Sequence, residues 1–168
     1  MKLHFVTASG LVLFTWTASP AAAQSQAWIR QFGTPSRDLL ECAGPDGMGG
    51  VFVGGSTLGS LGGPYVGSGD AWIARYDGAG NQTWIRQLGS TLFDQASCFA
   101  PDGSGGMFVA GITGGALATP QATGNVWMAR YDSGGNQIWI RQFGLSWYDA
   151  VYSAAPDGTG GFYLSGEM

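Results

Sequence analysis

Apolar residues in this chain fall in short runs with a period of two. In AWIARYD (71–77) and VWMARYD (126–132) large apolar side chains alternate with smaller or polar ones, and VFVGGST (51–57) and MFVAGIT (107–113) are β-branched and aromatic runs that follow a Gly-Gly pair. Such alternation predicts strands with a buried face. TWIRQLG (83–89) and IWIRQFG (138–144) make another pair, and LLECA (39–43), QASCFA (95–100) and AVYSAA (150–155) supply a fourth strand type. DGAGN and DSGGN lie between AWIARYD and TWIRQLG and between VWMARYD and IWIRQFG; Gly and Asn accept positive φ and Asp bonds its own backbone two residues on, so each is a hairpin turn. The fourth type ends at Pro-Asp-Gly, where Pro presets φ and Gly closes the bend. Beyond residue 23 no segment carries a helical period or a capped helix start. The predicted class is all-β.

The runs repeat. Trp28, Trp84 and Trp139 are 56 and 55 residues apart, and Asp38, Asp94 and Asp149 keep the same separations, as do the turns PDGMGG, PDGSGG and PDGTGG. The segments 70–89 and 125–144 agree at 13 of 20 positions. The unit is therefore about 55 residues, with divisions near 28–83, 84–138 and a truncated 139–168.

Four antiparallel strands per unit at a fixed period point to the blades of a β-propeller. The chain also resembles a known family, the bacterial SBBP beta-propeller repeat, whose signature is an aromatic strand followed by Asp, a two-glycine turn, Trp and a closing Gly. The matching positions are Trp72, Tyr76, Asp77, Gly80, Asn81, Trp84 and Gly89, and again Trp127, Tyr131, Asp132, Gly135, Asn136, Trp139 and Gly144. The resemblance covers nearly all of 27–168 and implies a secreted propeller that binds or supports something at the cell exterior; it implies no reaction. About two and a half units fall short of the four to eight blades that close a ring, so the expectation is an incomplete ring with open blade edges available for self-association. Residues 27–32 read as an outer strand that a last blade pairs with at closure.

The first 23 residues stand apart. Lys2 begins them, an apolar stretch runs from Phe5 to Trp16, and Ala21-Ala22-Ala23 precedes Gln24, the layout of a secretory signal peptide cleaved after Ala23. The mature chain, 24–168, is then secreted or periplasmic, with no transmembrane segment. Cleavage removes His4 and Lys2, the only histidine and lysine, and leaves six arginines against eleven carboxylates, a net charge of −5. A His-containing triad and a His-ligated metal are excluded, and an acidic chain with few cations is a poor partner for nucleic acid.

The remaining candidates each have a structural and a functional reading. Repeated aromatics either pack between blades or form a stacking platform. The Asp residues of PDGxGG and DxxGN either form turns or offer oxygens to calcium, although the alternating carboxylates of a calcium loop are absent. Arg30, Arg86 and Arg141, and likewise Arg75 and Arg130, either pair with nearby Asp or capture an anion. Cys42 and Cys98 occupy one repeat position, with Ser153 in the third unit, and are either buried thiols or a disulfide. No catalytic, cofactor or metal residue is assigned. The expected function is a non-catalytic binding or structural module that meets a protein or glycan through loops 57–69 and 113–124. A polysaccharide hydrolase or lyase, and a fragment of a longer propeller protein, are the alternatives.

Overall fold

The computed structural model describes residues 27–118, 125–144 and 149–167, with a two-residue ladder joining Thr7–Ala8 to Leu11–Val12. Apart from that ladder, the leader assigned to 1–23 lies outside the described residues, as do its cleavage point and residues 119–124 of the second long loop. Ten strands follow: β1 (Asp38–Pro45), β2 (Val51–Thr57), β3 (Asp70–Tyr76), β4 (Gln82–Leu88), β5 (Asp94–Pro101), β6 (Met107–Thr113), β7 (Val126–Tyr131), β8 (Gln137–Phe143), β9 (Ala150–Pro156) and β10 (Phe162–Glu167). No helix occurs among the described residues, and none is long and apolar enough to cross a membrane.

The strands pair as meanders, each with the next, into antiparallel sheets β1–β4, β5–β8 and β9–β10. The first two sheets start at Asp38 and Asp94 and the third just after Asp149, and WIRQxG is the last strand of a sheet. Register repeats with sequence: every first pair carries a bulge at the same place, between Leu40 and Cys42, Ala96 and Cys98, and Val151 and Ser153. The PDGxGG turns place glycines at positive φ, including Gly47 (73°), Gly103 (77°) and Gly158 (79°), a backbone that side chains resist.

Successive sheets pack through their first strands, β1 against β5 and β5 against β9. The middle strand β5 has neighbours on both sides and alternates buried and half-buried along its length, while β1 and β9 expose much of one face. The main core lies between the first two sheets: Phe52, Ile73 and Trp84 from one meet Ala96, Met107, Val109, Trp127 and Tyr131 from the other. A second core joins Cys98, Ala110, Val126 and Val151.

One expectation fails. Residues 27–32 form no strand. A strand needs a partner for its backbone, and none of the described strands pairs with this segment, which side chains hold against the first sheet. Trp28 stacks on Tyr76 (centroids 6.2 Å apart) and Phe32 packs edge-on against Trp72 (5.3 Å).

Candidate functional site

The repeated WIRQxG proves to be a fastening between units. Residues directly opposite in a ladder share a face, which puts Trp84 and Arg86 on the side of the first sheet that meets the second. Trp84 stacks on Tyr131 (6.4 Å), and its indole N–H donates to Ser133 O (3.1 Å) in the turn between β7 and β8. Arg86 donates to Gly135 O (2.9 Å) and Gly134 O (3.3 Å) of the same turn and lies over the Trp84 ring. The turn glycine is required: a Cβ at Gly135 would sit 2.6 Å from the indole. Trp28 stands in the same relation to Tyr76 and Gly80, and Arg30 reaches Ala79 O (3.5 Å).

The glutamine of the motif faces the other way and pins its own unit's long loop. Gln87 accepts from Leu61 N (2.7 Å) and Gly62 N (3.0 Å) and donates to Gly59 O (3.0 Å) and Asp70 Oδ2 (2.8 Å). Gln142 repeats this with Leu117 N and Gly115 O. Sequence reading missed both glutamines, although their place in every copy of the motif is the signal that marks them.

At the hairpin end, the three PDGxGG turns surround a cleft of ≈ 270 Å³ lined by Asp46, Met48, Asp102 and turn glycines. Its carboxylates are committed. Asp46 Oδ1 accepts from Met48 N and Gly50 N, while Oδ2 takes Arg75 at 3.0 and 2.8 Å. Asp102 does the same with Ser104, Gly106 and Arg130. Burial pushes both carboxyls up, but these donors outweigh it and hold them below the ordinary carboxylate value. Arg75 and Arg130 thus pair with Asp, and Arg86 binds backbone carbonyls. Asp77 and Asp132 close their DxxGN turns on Asn81 and Asn136. Among the described residues no three His, Cys, Asp or Glu side chains gather as a metal would require.

The opposite end carries the long loops. Beneath them lie Asp70 and Asp94, both fully buried. Asp94 accepts from Ser90 N (2.5 Å), Ser90 Oγ and Thr113 Oγ1, and Asp38 repeats the pattern with Thr34 and Thr57. Burial raises Asp94 above the ordinary value despite these donors, and the nearby Asp70 charge adds to it. Above this polar floor the surface is apolar. Leu58, Tyr65, Val66, Leu92 and Phe93 are all exposed, and Leu58 and Phe93 converge over Gly69. Of the two loops expected to form a contact face, 57–69 contributes the first three, while Leu92 and Phe93 come from a connection that sequence reading did not single out. The described part of 113–124 supplies Gly114 and Gly115, packed on Leu92, Phe93 and Ser90.

Cys42 and Cys98 are free thiols. Cys42 Sγ lies 3.5 Å from Ala96 O in the contact between the first two sheets, and Cys98 is buried in the second core. Burial pushes both thiols up, Cys98 to about 11, so neither supplies a thiolate nucleophile. No protein-family model matches the chain, and no similar curated protein is found.

Proposed function

We propose that this chain is a secreted, non-catalytic β-propeller module of the SBBP-repeat type, which binds or scaffolds a partner outside the cell through its loop face. The observation that carries this reading is the apolar patch of Leu58, Tyr65, Val66, Leu92 and Phe93, exposed on connections that Gln87 and Asp70 on one side and Asp94 on the other hold in place. Contiguous exposed apolar surface on a rigid base is the usual character of a contact site. The three-sheet stack with recurrent inter-unit fastenings supports the propeller reading, since each sheet meets its neighbours as a blade would.

The carboxylates favour binding over catalysis. Asp94 and Asp70, the buried pair, are sealed from solvent, and Asp46 and Asp102 are neutralised by arginine. None is placed as a glycosidase acid facing a base across a substrate.

The test is binding of the purified full chain to a glycan array and to immobilised cell-envelope proteins. Leu58→Asp combined with Phe93→Asp abolishes the signal on whichever surface binds while leaving the melting temperature within a few degrees. Unchanged binding by the double variant sinks the loop-face reading, and hydrolysis of an arrayed glycan sinks the non-catalytic one.

A further inference from the structure

The two connections that carry the exposed apolar patch hang from carboxylates that lie side by side. Asp70 opens β3 and Asp94 opens β5; Gly69 and Phe93 form a parallel bridge there, and Asp94 N donates to Gly69 O at 2.8 Å. Asp70 accepts from Val66 N (3.0 Å) and Gly67 N (3.2 Å) at the end of the long loop. Asp94 accepts from Ser90 N (2.5 Å) in the connection 89–93, and Phe93 O takes Gly114 N (2.7 Å) on the far side. Glycine keeps the seam tight: a Cβ at Gly89 would collide with Asp70 Oδ1, and one at Gly67 would collide with Ser90 O and Leu92 O. The loop carrying Leu58, Tyr65 and Val66 and the connection carrying Leu92 and Phe93 thus close on each other over two acids.

No cation is built in to balance them. Segments 57–69, 89–93 and 113–124 contain no Asp, Glu, His, Lys or Arg, and Tyr65, their only titratable side chain, is 39% exposed. Arg37, whose carbonyl accepts Leu58 N at the base of the loop, has an exposed side chain, and the ion pairs among the described residues use Asp46 and Asp102. The groups facing Asp94 are Ser90 from its own connection, Thr113 from the end of β6 and Asp70 from the first sheet. Both acids are fully buried, so ionising both sets like charges together away from water, a cost that one proton removes.

The hydrogen bonds have a place for that proton. The Thr113 hydroxyl has one hydrogen and two acceptors in reach, Asp94 Oδ1 and Gly115 O (3.3 Å). With a proton on Asp94 Oδ1 the acid donates to Thr113 Oγ1 and the threonine donates to Gly115 O, so every group is served. The next junction carries a neutral version of the same pair: Asn125 stands where Asp70 does, and its Nδ2 donates to Asp149 O at 3.5 Å.

We infer that the seam between Asp70 and Asp94 is a proton-operated latch on the loop face: with a proton on Asp94 the two connections close and order the apolar patch, and loss of that proton parts them. As regulation of a contact face the latch rests on the function proposed above, whereas its opening needs no partner. The direction follows from the closed seam, where burial, with the Asp70 charge adding to it, raises Asp94 above the ordinary carboxylate value. A group that holds its proton more tightly closed than open favours the closed form fully below its open-form value, about pH 4, and that preference is lost as pH rises through the raised value. The patch is therefore ordered in acid and loosened towards neutrality, so a partner is held in acid and released above it. Each unit by which Asp94 is raised changes the opening equilibrium about tenfold.

The experiment follows amide hydrogen exchange of the purified full chain by NMR from about pH 3 to about pH 7, with rates converted to protection factors, and titrates the Asp94 carboxyl carbon in the same sample. Protection at Val66, Gly67 and Gly114 is expected to fall with rising pH by about tenfold for each unit that Asp94 titrates above the ordinary value, while Ala74 in the middle of β3 keeps its protection. Asp94→Asn, whose amide stands in for the protonated acid, keeps protection at its acid level throughout. Asp70→Asn narrows the fall without removing it, because burial is the larger cause. Flat protection in the parent chain overturns the latch, as does a fall that Asp94→Asn retains or that Ala74 shares. The first and last of these outcomes need no variant, so a substitution that fails to fold does not shield the inference. Exchange also needs no partner: a chain that binds nothing on the arrays removes the proposed function and leaves the latch standing, and flat protection removes the latch whatever the loop face binds.

Discussion

Gly103 and Gly135 form a matched pair for testing the fastening between units. Both have φ of +77°, so alanine at either position suffers the same left-handed backbone. That cost, about 1–2 kcal/mol, is partly offset by the stiffer unfolded chain, leaving a net loss of about 1 kcal/mol. Their surroundings differ. Nothing lies within 4 Å of a Cβ at Gly103, whereas one at Gly135 sits 2.6 Å from Trp84 Cδ2. Carbon atoms pack no closer than about 3.5 Å, so the indole has to retreat by about 1 Å. That movement disrupts the 3.1 Å bond to Ser133 O and the stack on Tyr131. Overpacking of this kind adds about 1–3 kcal/mol. Urea denaturation at pH 7 is therefore expected to show Gly135→Ala less stable than Gly103→Ala by that margin. In a Trp84→Ala background the difference vanishes, because the clash has no partner. Gly80→Ala, which meets Trp28 at the same 2.6 Å, falls between the two, since Trp28 lies on a segment with no strand partner and yields more easily. Equal losses for Gly103→Ala and Gly135→Ala refute the claim that the indole–turn contact joins the units.

Three further outcomes are expected. Asp46 and Asp102 titrate lower in the fold than unfolded, so their contribution is present above about pH 4 and disappears as pH falls through their lowered values; the Asp46→Asn/Asp102→Asn variant flattens the acid limb of a stability–pH curve measured by urea midpoint. Asp94 acts in the opposite sense: its raised value means that its contribution is present below about pH 4 and is lost as pH rises through that value, so Asp94→Asn flattens the decline on that side. Cys42, half-buried, and Cys98, buried, stay unreactive towards a thiol reagent at pH 8 in the native protein and both react once it is unfolded; reaction of either before unfolding contradicts their raised thiol values.

Much of this architecture is legible in the sequence, and the gaps have physical causes. Period-two runs and Gly/Asn turns located the strands of the sheets to within a few residues, because alternation and turn chemistry are local. The role of WIRQxG is not local: Trp84 and Arg86 act on Ser133, Gly134 and Gly135, some 49 residues on, and no pattern within one unit displays that. The same propensity misleads at 27–32, whose letters match β4 and β8. What makes those strands is a neighbouring backbone, and residues 27–32 meet the first sheet through the side chains of Trp28, Arg30 and Phe32. Leu92 and Phe93 read as ordinary core letters; only their place in a short connection above Asp94 puts them at the surface.

Burial at equivalent positions shows where the repeat keeps its stability. Ala96 is fully buried, Val151 nearly so, and Leu40 is 62% exposed, although all three occupy one place in the unit. A side chain's environment is thus set less by its own sheet than by the sheet on the adjoining side, which is the energetic form of a nearest-neighbour chain. Selection on such a chain acts on both halves of each junction together: the Trp and Arg of one unit are useful only where the next keeps its turn glycine and its Tyr. That mutual requirement explains why WIRQxG and RYDxxGN repeat almost letter for letter while the loops between β2 and β3 and between β6 and β7 diverge. The invariant letters hold the stack together, and the variable ones form the loop face proposed above as the contact surface.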